Sequence, residues 1–424
     1  MTLKPYTGYR AKLIGSLPKH WILVEFADLI EHGPTNGLYK SPDDIGVGDA
    51  RLFDINGLYS GLRANFAFSR LVSITSEEEQ RYLLHDGDIL FNRVSVKPEG
   101  IGKAVLVENV PLRTVFETNM IRVRTRLEYA APAYLVEYFA SPIARKQIGA
   151  QAKITAQTSI SQETITSLLI PLPPLAEQRK IAAILSTWDA AITLTEQLIA
   201  ALQHRKQGLM QRLLTGAVRF PEFEGEEWLE VSINAMGKVT SGGTPDTNNP
   251  NYWNGTILWV TPSEITSLAS RYIERTERQI TEQGLQASSA VLLDPFSILI
   301  CTRATVGDSA INKVPMATNQ GFKNLTPSER YNSEFLYYLF SFNKNQLVRY
   351  SSGSTFIELS KRDFVKLKFL VPRLLEQEQV ARVLEVCDAE IEEYQKVKSQ
   401  LQLQKKGLMQ RLLTGEIRVQ VDDD

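Results

Sequence analysis

Apolar residues along two stretches of the chain recur at steps that alternate four and three. In the first stretch these are Ile181, Leu185, Trp188, Ile192, Thr195, Ile199, Leu202, Lys206, Leu209 and Leu213. The second repeats the phases with Val380, Leu384, Cys387, Ile391, Tyr394, Lys398, Leu401, Lys405, Leu408 and Leu412. Such heptad spacing belongs to a helix that presents one seam to a partner. Pro173-Pro174 and Pro372 stand just before each run, where proline's missing N–H costs little. Gly216 and Gly415 follow each run, where a left-handed cap belongs. The spacing predicts two helices of about 39 residues, each roughly 58 Å long. Lys206 and Lys405 interrupt both seams at one phase and are expected to snorkel their ammonium groups to water.

Elsewhere the pattern is of short apolar runs: Ile89-Leu90-Phe91, Ala104-Val105-Leu106-Val107, Ile257-Leu258-Trp259-Val260 and Ile298-Leu299-Ile300. Turn signals at Asn36-Gly37, Ser241-Gly242-Gly243-Thr244-Pro245 and Asn254-Gly255 punctuate them, as strands of a mixed α/β (α+β) fold require.

The two helical stretches are copies of each other. Gly208-Leu209-Met210-Gln211-Arg212-Leu213-Leu214-Thr215-Gly216 recurs without change from Gly407 to Gly415, 199 positions on. The same offset, without a gap, superimposes Glu177-Gln178 on Glu376-Gln377, Asp189-Ala190 on Asp388-Ala389, and Lys206 on Lys405. A duplication follows, with two diverged heads on a common frame. The expected segments are a head over 1–170, a helix over 171–216, a head over 217–370, a helix over 371–415 and an acidic tail over 416–424. In the order head, helix, head, helix, the first helix leads from one head to the other and the second leads back. The helices are therefore expected to lie antiparallel as a coiled coil, with an internal pseudo-twofold.

At 424 residues the chain exceeds a single core. Net charge of −1 does not advertise a nucleic-acid binder, although DNA feels a local basic face rather than the sum. No apolar run reaches the ~18 to 20 residues that span a bilayer, and Met1–Trp21 lacks the apolar core of a secretory signal. Two cysteines, Cys301 and Cys387, are too few for a disulfide framework and suit a reducing cytoplasm.

Catalytic patterns are missing. The Pro-Pro pair, Pro173-Pro174, is flanked by leucines, so it cannot be the Asn/Asp-Pro-Pro-aromatic loop that holds a flipped adenine. No lysine has Asp or Glu two positions before it, as common metal-dependent nuclease sites require. Neither Gly102-Lys103 nor Gly237-Lys238 is followed by Ser or Thr, which excludes a phosphate-binding loop. The four histidines are scattered, without metal-ligand spacing. No catalytic residue and no metal site are expected.

Pro171-Leu172-Pro173-Pro174-Leu175-Ala176-Glu177-Gln178, the long helix and the Gly208–Gly216 motif resemble the conserved regions of type I restriction-modification specificity subunits, the HsdS family. Trp228, Ser241–Pro245 and Asn251-Tyr252-Trp253 look like the opening of one of that family's target-recognition domains. The first head lacks the Ser-Gly-Gly-Thr-Pro loop and has Gly33-Pro34-Thr35-Asn36-Gly37 nearby instead. The resemblance implies a non-catalytic subunit that reads a bipartite, asymmetric double-stranded DNA target, one half per head. It also implies two methyltransferase subunits and restriction/translocase subunits as partners. S-adenosylmethionine, ATP and Mg would then sit on those partners, and none in this chain. Three alternatives stay open: a coiled-coil adaptor that binds no DNA, an enzyme with an unrecognised nuclease or methyltransferase site, and a specificity subunit of a system whose nuclease is fused to its methyltransferase.

Within that reading, Arg93 and Arg303 follow strand-like runs, and Thr118-Asn119 and Thr318-Asn319 occur in both heads. Arg forks onto guanine and Asn onto adenine; a strand-end salt bridge and an Asx turn are the plain alternatives. Lys97, Ser241, Gly243 and Thr244 are candidates to hold phosphates through side chain or backbone N–H. Tyr252-Trp253 read as core. Glu177, Gln178, Arg212, Glu376, Gln377 and Arg411 are the candidates for docking the partner.

Overall fold

The computed structural model describes residues 3–153, 158–268, 270–303, 305–351 and 358–421. The chain divides into two compact units. One joins residues 1–196 to 397–424, and the other is residues 197–396.

The first unit is built on a four-stranded sheet in the order Ile30–Asn36, Met120–Thr125, Ile89–Asn92, Ala104–Leu106, antiparallel throughout. Its central strand Ile89–Asn92 is buried at every position, because both faces of the sheet are covered. Ile89, Phe91, Ile121 and Val123 enter a core with Phe26, Tyr134 and Phe139. Leu90 and Met120 enter another, with Phe53 and Phe116. The helix Pro132–Ala140 lies on the first of these, its Tyr134 and Tyr138 hydroxyls donating to Pro171 O and Leu169 O at 2.6 and 2.7 Å.

The second unit repeats the plan with one more strand. Its sheet runs Gly237–Ser241, Phe322–Pro327, Ile298–Cys301, Ser309–Asn312, Tyr272–Ile273. Ile298 and Ile300 pack against Phe335, Tyr338 and Phe340 of the helix Ser333–Phe342. Leu299 and Cys301 face the other core with Phe322. The Asn254-Gly255 turn signal falls inside a strand, Trp253–Val260, where Asn254 (φ 59°) forms a bulge.

Two long helices, Leu175–Leu213 and Leu374–Leu413, match the heptad reading, and none of the twenty seam positions is exposed. In the first unit Ile181 and Leu185 pack with Met409 and Leu412. In the second, Ile199 and Leu202 pack with Ile391. Lys398 meets Glu196 and Lys405 meets Asp189 in the first unit, and in the second Lys206 meets Asp388 beyond the Ile199–Leu202–Ile391 cluster, so partner numbers fall as residue numbers rise and the helix segments within each unit are antiparallel. Trp188 is only half-buried and belongs to no core cluster. Gly216 and Gly415 adopt φ 70° and 74° and cap the helices, with Val218 N on Arg212 O and Ile417 N on Arg411 O, both at 3.1 Å.

The snorkelling expectation is corrected. Lys405 is buried and holds Asp189 at 2.6 Å and Glu137 at 3.0 Å in the first unit. Lys206 pairs with Asp388 in the second, over the Tyr338 ring. An aspartate on the facing helix partners each ammonium. In the tail, Ile417 and Val419 pack on the first unit's core, while Asp422–Asp424 lie outside the described residues.

Candidate nucleic-acid interface

In the second unit the Ser241–Pro245 segment leaves the edge strand and folds over the turn that precedes Phe322–Pro327. A Cβ on Gly242 would meet Asn319 O at 1.9 Å, and one on Gly243 would meet Ala290 N at 2.3 Å, so the approach admits no side chain. The Gly243 N–H donates to Thr318 O and the Gly243 carbonyl accepts the Trp259 indole N–H, both at 2.9 Å. The Thr244 hydroxyl meets the Gln320 amide oxygen. Thr302 N donates to Gly321 O at 2.7 Å, which sets Arg303 beside the same turn. Ser241, Gly243, Thr244, Arg303, Thr318 and Asn319 are thus brought together.

Their availability differs. Thr318 is fully buried and its hydroxyl accepts from Asn324 Nδ2 at 2.8 Å, and Gly243 is buried as well. Both support the loop and cannot reach DNA through a side chain. Asn319 Oδ1 accepts from Gly321 N at 2.8 Å, the Asx turn named as the plain alternative. Arg303 forms the strand-end ion pair with Glu358 at 2.9 Å, and Lys323 stands 3.9 Å from the same carboxylate. Burial pulls the Lys323 pKa down, Glu358 opposes that, and Arg303 and Lys361 add to it. One glutamate among three cations leaves a basic patch beside the Ser-Gly-Gly-Thr-Pro loop. Trp253 is core, with its ring 5.1 Å from Trp259 and Arg278 stacked over it at 3.7 Å.

The first unit has an equivalent in its Gly33–Gly37 segment. Gly37 sits where Gly242 does: a Cβ there would meet Glu117 O at 2.0 Å, and Gly37 N donates to Met120 O at 3.0 Å. The Gly33–Gly37 segment therefore takes the place of the Ser-Gly-Gly-Thr-Pro loop. Arg93 N donates to Asn119 O at 2.8 Å, which joins two more candidates. Asn119 and Lys97 are exposed, whereas Arg93 and Thr118 are half-buried. The Lys103 and Arg145 side chains donate to Tyr59 O at 3.1 Å and Glu99 O at 2.9 Å. Burial lowers the pKa of each, and Arg145 lowers that of Lys103 further.

The docking candidates divide. Glu177 and Glu376 are each 1% exposed and accept bidentate pairs from Arg418 (2.6 and 3.0 Å) and Arg219 (2.8 and 2.6 Å) within their own units. Gln178 accepts from Ala131 N and donates to Pro173 O. Gln377 does the same with Asn332 N and Pro372 O, all four bonds at 2.8–2.9 Å. These four side chains clamp the helix starts and present nothing to a partner, which corrects the expectation. Arg212 and Arg411 are exposed, the latter 3.1 Å from Glu416.

The duplication has a counterpart among known proteins. A family model described as the type I restriction modification DNA specificity domain matches this chain twice, over residues 18–204 and 225–403. The chain belongs to this family. It is a type I specificity subunit with two DNA-specificity domains, and its relatives are specificity subunits, which are non-catalytic. A protein of Methanocaldococcus jannaschii, provisionally named the MjaX type I restriction enzyme specificity subunit, is 28% identical over 97% of both chains. The EcoR124I/EcoR124II specificity subunit of Escherichia coli is 29% identical over 54% of this chain and 57% of its own. In fold, the S subunit from M. genitalium superimposes with TM-score 0.57 at 15% identity, covering 97% of this chain and 99% of that one. A chain from a structure of the type I R-M system reaches 0.60 at 19% identity, covering 95% and 100%. Among the described residues of this type I subunit, no helix is long and apolar enough to cross a membrane.

Proposed function

We propose that this specificity subunit binds a split, asymmetric duplex DNA target, one half per head, and recruits two methyltransferase subunits and, in a full complex, restriction/translocase subunits. S-adenosylmethionine, ATP and Mg would be held by those partners, in the cytoplasm. The observation that carries the reading is the pairing of one repeated frame with two different reading surfaces. The glycine approach to the turn is the same in both units, at Gly37 and Gly242, while the side chains around it differ. Equal frames with unequal surfaces suit a target with two unlike halves, much as dimeric readers match symmetric sites. Adenine N6 would be modified by the partners after base flipping.

Co-expression with a candidate methyltransferase subunit, followed by genome-wide mapping of modified adenines, tests this. The expected motif has two different halves around a fixed gap, with one modified adenine in each half on opposite strands. A continuous motif, or no sequence-dependent modification from an assembled complex, would reject the reading in favour of an adaptor.

A further inference from the structure

The first unit carries a polar cleft of about 650 Å³ between the edge strand Ile30–Asn36, the helix Ser76–Tyr82 and the start of the helix Gln162–Thr166. Its described lining includes three arginines, Arg81, Arg122 and Arg124, and no aspartate or glutamate. In a chain of net charge −1 that is a concentrated basic site.

The arginines differ in what they can still do. Arg124 is closed by Asp88 at 2.7 and 3.0 Å. Arg122 is buried and spends two N–H groups on Leu83 O and Arg81 O, at 2.7 and 3.1 Å, so it holds the end of the Ser76–Tyr82 helix and leaves its charge beneath the cleft. On that helix Glu78 is paired with Lys40 and Glu79 with Arg113. Arg81 is exposed and has no ion pair among the described residues.

Around Arg81 stand neutral donors: Gln80, Thr35 and Gln162, whose amide reaches Asn36 Oδ1 at 3.2 Å. Thr35 and His32 are the cross-strand partners of Arg122 and Arg124, with bulges between them that open the edge strand. Backbone hydrogen bonds also tie the cleft's segments to the predicted reading residues. Gly37 N binds Met120 O, Arg93 N binds Asn119 O, and Ile160 N, two residues before Gln162, binds Arg93 O at 3.1 Å.

We propose that this cleft seats the sugar–phosphate strand of the DNA half-site read by the first head, with Arg81 as its phosphate ligand and Arg122 as the positioning residue. A concave surface of arginine, glutamine, asparagine and threonine with no carboxylate fits a convex phosphate ridge, and such side chains hold phosphates without reading sequence. The inference rests on the DNA-binding reading above.

The test uses the full chain co-purified with its methyltransferase partner and a duplex bearing the motif mapped for the wild type. Each phosphate contact releases about 0.9 counterion. Arg81→Gln should therefore lower the log–log salt slope by about one and weaken binding about eightfold near 0.1 M salt, with the motif letters unchanged. Arg81→Lys should restore the slope, and Gln162→Ala should weaken binding without altering it. Arg63→Gln removes an exposed arginine beside the opposite edge strand of the same sheet and should change neither. Unchanged slope and affinity in Arg81→Gln, or altered letters in the first half-site, would overturn the assignment. A wild-type complex without any bipartite motif would instead fail the DNA-binding reading, before any variant is compared.

Discussion

Glu137 shows how one side chain takes its properties from its surroundings. It lies 3.0 Å from Lys405, which is shared with Asp189, inside the first unit. Burial pushes its carboxyl up to about 7; Lys405 pulls down and Asp189 pushes further up. An unfolded glutamate titrates near about 4.3, so between these values the folded state holds a proton that the unfolded state has lost. Stability must then fall as pH rises through that window and level off above it. Glu137→Gln should remove the slope: its urea midpoint gains on the wild type between pH 5 and pH 8. A gap of the same size at both pH values would refute the linkage. The sequence marked Lys405 as a repeated interruption of the seam, but not its partners. Glu137 lies 268 positions away, and only the packed sheet brings it near. For the same reason Glu177 and Gln178 were legible as repeated but not as inward-facing.

The long helices were the most legible elements, because a period that matches a helical face needs no knowledge of the rest of the fold. Their ends were legible too, through Gly216 and Gly415. What fastens them was not. Arg219 and Arg418 follow the two helices and close on Glu376 and Glu177, again 199 positions apart. Each arginine ties a helix exit to a helix start within its own unit. Arg219→Met or Arg418→Met would leave a buried carboxylate short of donors, at a cost of about 1–3 kcal/mol. The Arg219 substitution should cost more, since its side chain is 16% exposed against 43% for Arg418. Denaturant unfolding of each variant measures this, and equal or negligible losses would show the clasps to be incidental. Among the heads, the Ser-Gly-Gly-Thr-Pro loop announced itself by composition, whereas Gly33–Gly37 was legible only as a turn near the same place. Its role depends on Gly37 meeting the carbonyl of Glu117, 80 positions on. The cleft around Arg81 draws on four separate stretches of chain, so no local pattern could disclose it.

For the whole molecule, the chain passes between units twice, at Glu196–Gln197 and Lys396–Val397, both times inside a long helix. Change of helix length there should therefore act on the gap between half-sites and leave the letters alone. Four residues inserted between Leu194 and Leu202 add about 6 Å, or one to two base pairs at about 3.4 Å each. Seven residues keep the heptad phase and should be compared with four. Mapped adenine motifs from cells carrying each variant and its methyltransferase give the answer. Changed letters around an unchanged gap would place the spacing in the heads.

The same division has a consequence for synthesis. The second unit is one unbroken stretch, finished when Lys396 is translated. The first unit opens with residues that precede the second, yet its core takes Met409, Leu412 and Leu413 from residues that follow it. On the ribosome, the part made first is completed last. Until then Ile181 and Leu185 stand without their partners, a nascent apolar face that a chaperone or a finished copy of the protein would meet before Met409 and Leu412 arrive.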